Sequence, residues 1–178
     1  SVTALTDANT CVGTSLGTPV SVIVNPLPTA VASGGGTVCI GSPLPNVTFT
    51  FTGTAPFTFT YTDGVTPVNV VNHPTTTFTI NNAPAGTYQV TALTDANTCV
   101  ATSLGAPVNV IVNPLPTITL SPIAPICAGT ASASLVYTST TGTPDQYSID
   151  FNAAAEAQGF VDVVNAPLPA SPITITVP

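Results

Sequence analysis

Apolar and threonine residues alternate through the centre of the chain. In the stretch "NVTFTFTG", Val47, Phe49 and Phe51 fall on one side of an extended strand, and threonines fall on the other side. The stretch "FTFTYT" at residues 57–62 repeats this pattern. Because successive side chains of a β-strand point to opposite faces, a period of two predicts half-buried strands of an antiparallel sheet.

Five further short segments are rich in β-branched or aromatic residues and predict strands. They are residues 29–33, 68–71, 76–80, 87–93 and 108–112. Turn-forming stretches such as "TDG" and "NAPAG" separate them. About seven strands in 88 residues predict an all-β, immunoglobulin-like antiparallel β-sandwich, in which two sheets share one core. The stretch "NAAAEAQGF" at Asn152 predicts at most a short helical turn.

The chain repeats itself with an offset of 88 residues. Residues 1–28 and 89–116 are identical at 24 of 28 positions. A fixed period predicts a tandem array of sandwiches. We therefore divide the chain into the C-terminal part of a first repeat (1–28), a complete repeat (29–116) and the N-terminal part of a third repeat (117–178). Since the outer repeats are partial, we expect the chain to be a section of a longer protein.

Proline-rich segments join the repeats. The sequence "NPLP" occupies residues 25–28 and again residues 113–116. Each proline holds φ near about −65° and biases the residue before it towards an extended conformation. Such a segment predicts a stiff, polyproline-like strut between neighbouring sandwiches.

Charge excludes several classes of partner. The chain has seven acidic residues and no Lys or Arg, so its net charge is −7. A chain without cations cannot neutralise phosphates, which excludes nucleic acid and an anionic membrane surface as partners. No apolar run approaches the roughly 20 residues that span a bilayer, so we expect no membrane insertion. The absence of Lys and Arg has two possible explanations: neutral drift within the repeat, or selection for a surface that trypsin does not cut.

The four cysteines follow the repeat. Cys39 and Cys99 lie 60 residues apart in the complete repeat, while Cys11 and Cys127 are their copies in the partial repeats. This spacing predicts a disulfide between Cys39 and Cys99, joining the start of the repeat to the turn after its sixth strand, with the partners of the other two outside the chain. Such a bond contributes about 4 kcal/mol and indicates an oxidising compartment. The alternative is four free thiols.

Candidate chemistry is sparse. His73 is the single histidine and Glu156 the single glutamate, so no repeat holds a catalytic triad or a pair of glycosidase carboxylates. We predict no enzyme, no catalytic residue and no cofactor. Asp95 and Asn97 in "DANT" are weak candidate ligands for Ca²⁺, and the alternative is a turn in which these side chains bind their own backbone.

Three stretches together resemble a known family. They are "VCIGSP" around Cys39, "TYQVTALTDANTCVATS" around Cys99, and "VNVIVNPLPT". They resemble the immunoglobulin-like repeats of large cell-surface adhesins of Bacteroidetes, including gliding-motility adhesins exported by the type IX secretion system. The resemblance implies a secreted, extracellular protein whose partners are neighbouring repeats of the same longer chain and the secretion machinery. The chain departs from this family in having no Lys or Arg.

Three functions remain as hypotheses. The first is a structural stalk or fibre segment of an adhesin, with lateral copies of itself as a further partner. The second is a module that binds carbohydrate or surface polysaccharide through residues 63–74, although the chain has no Trp and Tyr61, Tyr88 and Tyr147 are expected to face the core. The third is ice binding by the threonine rows, against which Thr is also the ordinary outward residue of a strand.

Overall fold

A computed structural model describes residues 1–127 and 129–178 of the chain, without the side chain of Ser139. The described residues form fourteen short strands and one helix of four residues. Several of the strand pairs are antiparallel. The all-β class is therefore confirmed, and the arrangement is consistent with a β-sandwich.

The predicted strands of the complete repeat are all present, with ends that differ by a few residues. The strands of residues 29–116 are β1 (Thr29–Gly34), β2 (Gly36–Cys39), β3 (Val47–Thr52), β4 (Phe57–Thr62), β5 (Pro67–His73), β6 (Thr77–Ile80), β7 (Gly86–Thr94) and β8 (Val108–Asn113). One sheet has the order β1-β3-β6, and a second has the order β2-β8-β7-β4-β5. In the second sheet β4 is antiparallel to β5 and β7, whereas β2 is parallel to β8.

Strand β2 was not predicted, and three consecutive glycines explain its position. Gly34, Gly35 and Gly36 all have positive φ, which glycine adopts without strain. A Cβ atom on Gly34 would lie 2.3 Å from the carbonyl oxygen of Asn46, and one on Gly35 would lie 2.5 Å from that of Asn109. The glycines therefore end β1 and let the chain start a new strand that pairs with β8.

The described residues form two compact units. The first contains Ser1–Ser33, Thr48–Thr79 and Tyr88–Pro107, and the second contains Gly34–Val47, Ile80–Thr87 and Val108–Pro178. The limits of these units do not coincide with the repeat limits at residues 28 and 116. The division into repeats, the immunoglobulin-like topology and the structural period of 88 residues therefore stay predictions.

Aromatic rings from two sheets form the core of the first unit. Phe51 of β3 lies 4.7 Å from Phe59 of β4, measured between ring centroids, and Phe49 lies 5.4 Å from Tyr61. Phe49 is 0% exposed and Phe59 is 1% exposed. Each such pair contributes about 0.5–1.5 kcal/mol beyond the area that it buries. The alternation of Phe with Thr therefore places one face of each strand in the core, as predicted.

Three separate strand pairs form the part of the second unit that follows residue 116. The strands are β9 (Thr117–Leu120), β10 (Ser132–Leu135), β11 (Tyr137–Thr141), β12 (Gln146–Ile149), β13 (Val163–Pro167) and β14 (Ile173–Thr176). The antiparallel pairs are β9 with β11, β10 with β14 and β12 with β13. Helix α1 (Ala153–Glu156) begins after Asn152, whose Oδ1 accepts the N–H of Ala155 at 2.9 Å. The short helical turn is confirmed.

Candidate functional site: the repeat junctions

The junction at residue 28 packs against the repeat that follows it. Pro28 is fully buried. The N–H of Thr29 donates to Oγ1 of Thr52 at 3.0 Å, and the hydroxyl oxygens of these two threonines lie 2.7 Å apart. A Cβ atom on Gly53 would lie 3.0 Å from Cβ of Pro28, so only glycine leaves room for the proline ring at this distance.

The junction at residue 116 makes related contacts within the second unit, although Pro116 is exposed. The hydroxyl oxygens of Thr117 and Thr141 lie 2.6 Å apart, and the Thr141 hydroxyl donates to the carbonyl oxygen of Leu115 at 3.3 Å. A Cβ atom on Gly142 would lie 2.9 Å from the backbone nitrogen of Pro116 and 3.0 Å from the carbonyl oxygen of Pro114. Gly142 has a φ of 68°, a conformation that glycine adopts readily.

Both junctions thus use the same four groups. A proline and the threonine after it contact a threonine and a glycine that end a strand, as Thr52 and Gly53 do after β3 and Thr141 and Gly142 do at β11. The proline rings have fixed φ, and the hydroxyl of the threonine that follows them is within hydrogen-bond distance of a second threonine. The sequence signal for this contact is the recurrence of "TG" downstream of "NPLPT".

The disulfide predicted between Cys39 and Cys99 is not formed in the structure, where all four cysteines are free thiols. Cys39 ends β2, opposite Asn113 of β8. Cys99 lies in the turn after β7, where its N–H donates to Oδ1 of Asp95 at 3.0 Å. The start of the repeat does reach this end of β7, because Thr29 forms a bridge with Ser103. The prediction included β1 but overlooked β2, which lies between β1 and Cys39 in the chain.

The candidate calcium ligands lie in a turn that is closed by backbone N–H groups. Oδ1 of Asp95 accepts from the N–H of Asn97 at 2.9 Å and from that of Cys99 at 3.0 Å, and Oδ2 accepts from the N–H of Thr54 at 3.2 Å. Nδ2 of Asn97 donates to Oγ1 of Thr54 at 2.9 Å. This geometry agrees with the alternative to calcium binding, which is a turn whose side chains bind the backbone. Among the described residues no three His, Cys, Asp or Glu side chains group as metal ligands.

Asp95 is a buried acid, with 5% of its surface exposed. Burial raises its pKa, and the N–H groups of Thr54, Cys99 and Asn97 lower it by more, so the pKa lies below its ordinary value. The carboxylate therefore stays ionised inside the turn and ties the loop after β3 to the loop after β7. Sequence analysis identified this residue but not its partner Thr54, which is 41 positions away.

Most of the proposed polysaccharide-binding loop is a strand. Residues 67–73 form β5, and His73 at its end lies 2.8 Å from the carbonyl oxygen of Thr77 through Nε2. Oδ1 of Asp63 accepts the N–H groups of Val65 and Thr66, and these bonds lower the pKa of Asp63. Residues 63–66 are thus a tight turn, and only this turn remains as a loop for a ligand.

The tyrosines expected to face the core do so to different degrees. Tyr88 is buried, whereas Tyr61 and Tyr147 are half-buried. Burial, with a smaller effect of Asp63, raises the pKa of Tyr61. These rings therefore offer little exposed aromatic surface on which a sugar could stack.

The threonine rows bond across the sheet. Oγ1 of Thr48 lies 3.0 Å from that of Thr79 on the neighbouring strand β6, and Thr52 pairs with Thr29. Such cross-strand hydroxyl pairs stabilise a sheet, and they describe the ordinary role of outward threonine. Ice binding stays an untested hypothesis.

No protein-family model matches the chain, and no curated protein is significantly similar to it. In the described part of the chain, no helix has the length and apolar character needed to cross a bilayer. We therefore treat the family resemblance, the localisation and the function as proposals.

Proposed function

We propose that the chain is a structural stalk or fibre segment of a secreted cell-surface adhesin. In this function it projects an adhesive region from the cell and carries out no chemistry. Its repeats are immunoglobulin-like sandwiches with a period of 88 residues, and its partners are neighbouring repeats of the same longer chain. In this proposal the repeats carry the adhesive region and do not themselves bind the target surface.

The observation that carries this proposal is the pair of matching junctions. At both, the threonine after the proline lies within hydrogen-bond distance of a threonine hydroxyl of the following repeat, and a glycine beside that threonine lies against the proline segment. Pro28 is buried in this contact, whereas Pro116 is exposed. A stalk needs each unit to leave its neighbour in a defined direction, since freely jointed units would collapse into a coil. A binding module has no such need.

Near-identity of the copies supports the same conclusion. Residues 1–28 and 89–116 differ at only four positions. Distinct binding sites require distinct side chains, whereas a repeated spacer requires only that each unit fold and join in the same way. The missing Lys and Arg leave a surface without trypsin sites, which suits an exposed fibre.

Small-angle scattering of the intact chain tests this proposal. A compact domain of 178 residues has a radius of gyration of about 16 Å. If the junctions are stiff, the radius should clearly exceed this value and the scattering curve should have the form of a rod. A radius near that of a compact domain, or the curve of a flexible coil, would contradict the stalk.

A matched pair of variants tests the junction itself. Gly142→Ala places a methyl group against Pro114 and Pro116, while Gly129→Ala adds the same group at a similar positive φ with nothing within 4 Å. Each variant loses about 1 kcal/mol from left-handed backbone strain. Only Gly142→Ala should also loosen the junction and change the scattering curve. Equal curves for the two variants would remove the junction contact as the cause of stiffness.

A further inference from the structure

The turn that holds Cys99 lies where the chain enters the complete repeat. The N–H of Cys99 donates to Oδ1 of Asp95, and the other carboxylate oxygen, Oδ2, lies beside Gly53. A Cβ atom on Gly53 would be 3.3 Å from this oxygen and 3.0 Å from Cβ of Pro28. The proline that leads into the repeat and the turn of Cys99 therefore lie against the same glycine.

Cys39 lies where the chain leaves the complete repeat. It pairs with Asn113, the last residue of β8, and the N–H of Ile40 donates to the carbonyl oxygen of Asn113 at 2.8 Å. Pro114 follows directly and begins the proline-rich junction. A Cβ atom on Gly142 of the next repeat would lie 3.0 Å from the carbonyl oxygen of Pro114. The exposed Cys39 is therefore beside the junction to the next repeat.

Strand β7 separates these two cysteines. At its end, the carbonyl oxygen of Leu93 accepts the N–H of Ala101 at 2.9 Å. At its start, the hydroxyl of Thr87 donates to Oδ1 of Asn109 at 2.8 Å, so the chain runs back along β7 and β8 continues past its start. The nine residues of β7 span about 26 Å, whereas a disulfide joins Cα atoms about 4.4–6.8 Å apart. The two cysteines of one repeat are too far apart to bond with each other.

We propose that Cys39 forms a disulfide with the counterpart of Cys99 in the repeat that follows. Gly142 has in the third repeat the place that Gly53 has in the complete repeat. The counterpart of the Cys99 turn therefore lies beside Gly142 and next to Pro114, whose preceding residue pairs with Cys39. This inference rests on the proposed function, because it needs tandem repeats and the oxidising compartment of a secreted protein.

The bond forms by thiol–disulfide exchange. The two cysteine thiols lose two protons and two electrons as their sulfurs join, and an external disulfide such as oxidised glutathione takes them up and becomes two thiols. The product ties neighbouring repeats together covalently at the junction. Reduction leaves the junction with its threonine and proline contacts alone, so the stiffness of the stalk should depend on the redox state.

A chain in which residues 29–116 are duplicated in place tests the proposal. It has two complete repeats in succession, and it carries a second Cys39 and a second Cys99 beside the four cysteines of the parent. After equilibration with oxidised and reduced glutathione, iodoacetamide labels the remaining thiols and the mass of the intact chain counts them. One bond across the central junction leaves four thiols, whereas a bond within each complete repeat would leave two.

Two serine variants of the duplicated chain identify the bonded pair. The first keeps only Cys39 of the first copy and Cys99 of the second copy. The control keeps only Cys39 and Cys99 of the first copy. Oxidation should lower the mass by two hydrogens in the first variant and leave the control unchanged. Both variants should keep the circular dichroism spectrum of the duplicated chain, because Cys39 is exposed and Cys99 is half-buried.

Two results would overturn the inference. One is a duplicated chain that keeps all its thiols, and the other is a bond that forms in the control variant. If the first variant does not fold, the thiol count of the duplicated chain with all its cysteines still decides. None of these results would contradict the stalk, because scattering of the reduced chain tests the junction contacts without any disulfide.

Discussion

Residues 2–6 and 90–94 have the same sequence and different structures. The second copy is the end of β7, hydrogen-bonded to β4 on one side, with Val90 and Leu93 buried. The first copy forms no strand, and its Val2 and Leu5 are exposed. The difference is larger still in the later part of the repeat, where Val22 is 84% exposed while its counterpart Val110 is 3% exposed.

The turn that follows each copy is nevertheless the same. Oδ1 of Asp7 accepts from the N–H of Cys11 at 2.8 Å, and Oδ1 of Asp95 accepts from that of Cys99 at 3.0 Å. Thr10 and its counterpart Thr98 both have positive φ, at 65° and 59°. A turn is closed by contacts within five residues, so it forms in either environment, whereas a strand needs partners from elsewhere in the chain.

Truncation of the matched leucines Leu93 and Leu5 should reveal the largest difference in stability between the two copies. Leu93→Ala removes a fully buried side chain and should lower the free energy of unfolding by about 2–5 kcal/mol. Leu5→Ala, in the same local sequence, should change it by less than about 0.5 kcal/mol. Urea unfolding followed by circular dichroism measures both. Equal losses would mean that residues 2–6 are packed as β7 is.

Replacement of the matched aspartates should have an intermediate effect. Asp95→Asn removes the charge that accepts three N–H groups, two of its own turn and one from Thr54, whereas Asp7→Asn affects only its own turn. Asp95→Asn should therefore lower the thermal midpoint more at neutral pH.

The stabilisation by the Asp95 carboxylate should depend on pH in a defined direction. Because the folded-state pKa of Asp95 lies below the value of about 3.9 for unfolded chains, its stabilisation is fully present above about pH 4 and is lost as pH falls through the folded-state pKa. The difference in midpoint between the parent chain and Asp95→Asn should therefore shrink in acid. A difference that is constant with pH would show that the charge itself is not responsible.

Reaction of the matched cysteines should show the smallest effect. Cys11 is exposed and Cys99 is half-buried within the same sequence "TDANTCV". Iodoacetamide should therefore modify Cys11 faster in the folded chain, and the two rates should become equal in urea. Mass spectrometry before reduction tests the disulfide in the same samples, since a bond between Cys39 and Cys99 would lower the mass by two hydrogens and leave two thiols to react.

Local patterns predicted much of the fold. The alternation of Val47, Phe49 and Phe51 with threonine placed β3 with one face in the core, and "NAAAE", which begins at Asn152, placed the short helical turn. Each of these depends on neighbours in the chain. The sequence also identified Asp95 as a turn residue, because Asp closes turns with its own side chain.

Contacts between distant residues could not be predicted from such patterns. Strand β2 is short and exposed on most of its residues, and its pairing with β8 joins positions 74 apart. The bond between Asp95 and Thr54, and the packing of Pro28 on Gly53, likewise join segments that no local period connects. The error over Cys39 has the same origin, since its position depends on where β2 pairs.

The sequence by itself determined the strand periodicity and the Asp-centred turns, because these depend on side-chain alternation and local hydrogen bonds. Only the tertiary structure decided which copy of "VTALTDANTC" becomes a buried strand. The two copies have equal propensity, so the choice rests on a long-range contact. β7 lies beside β4 and places the buried Leu93 opposite Phe59, while Leu5 has no such neighbour among the described residues.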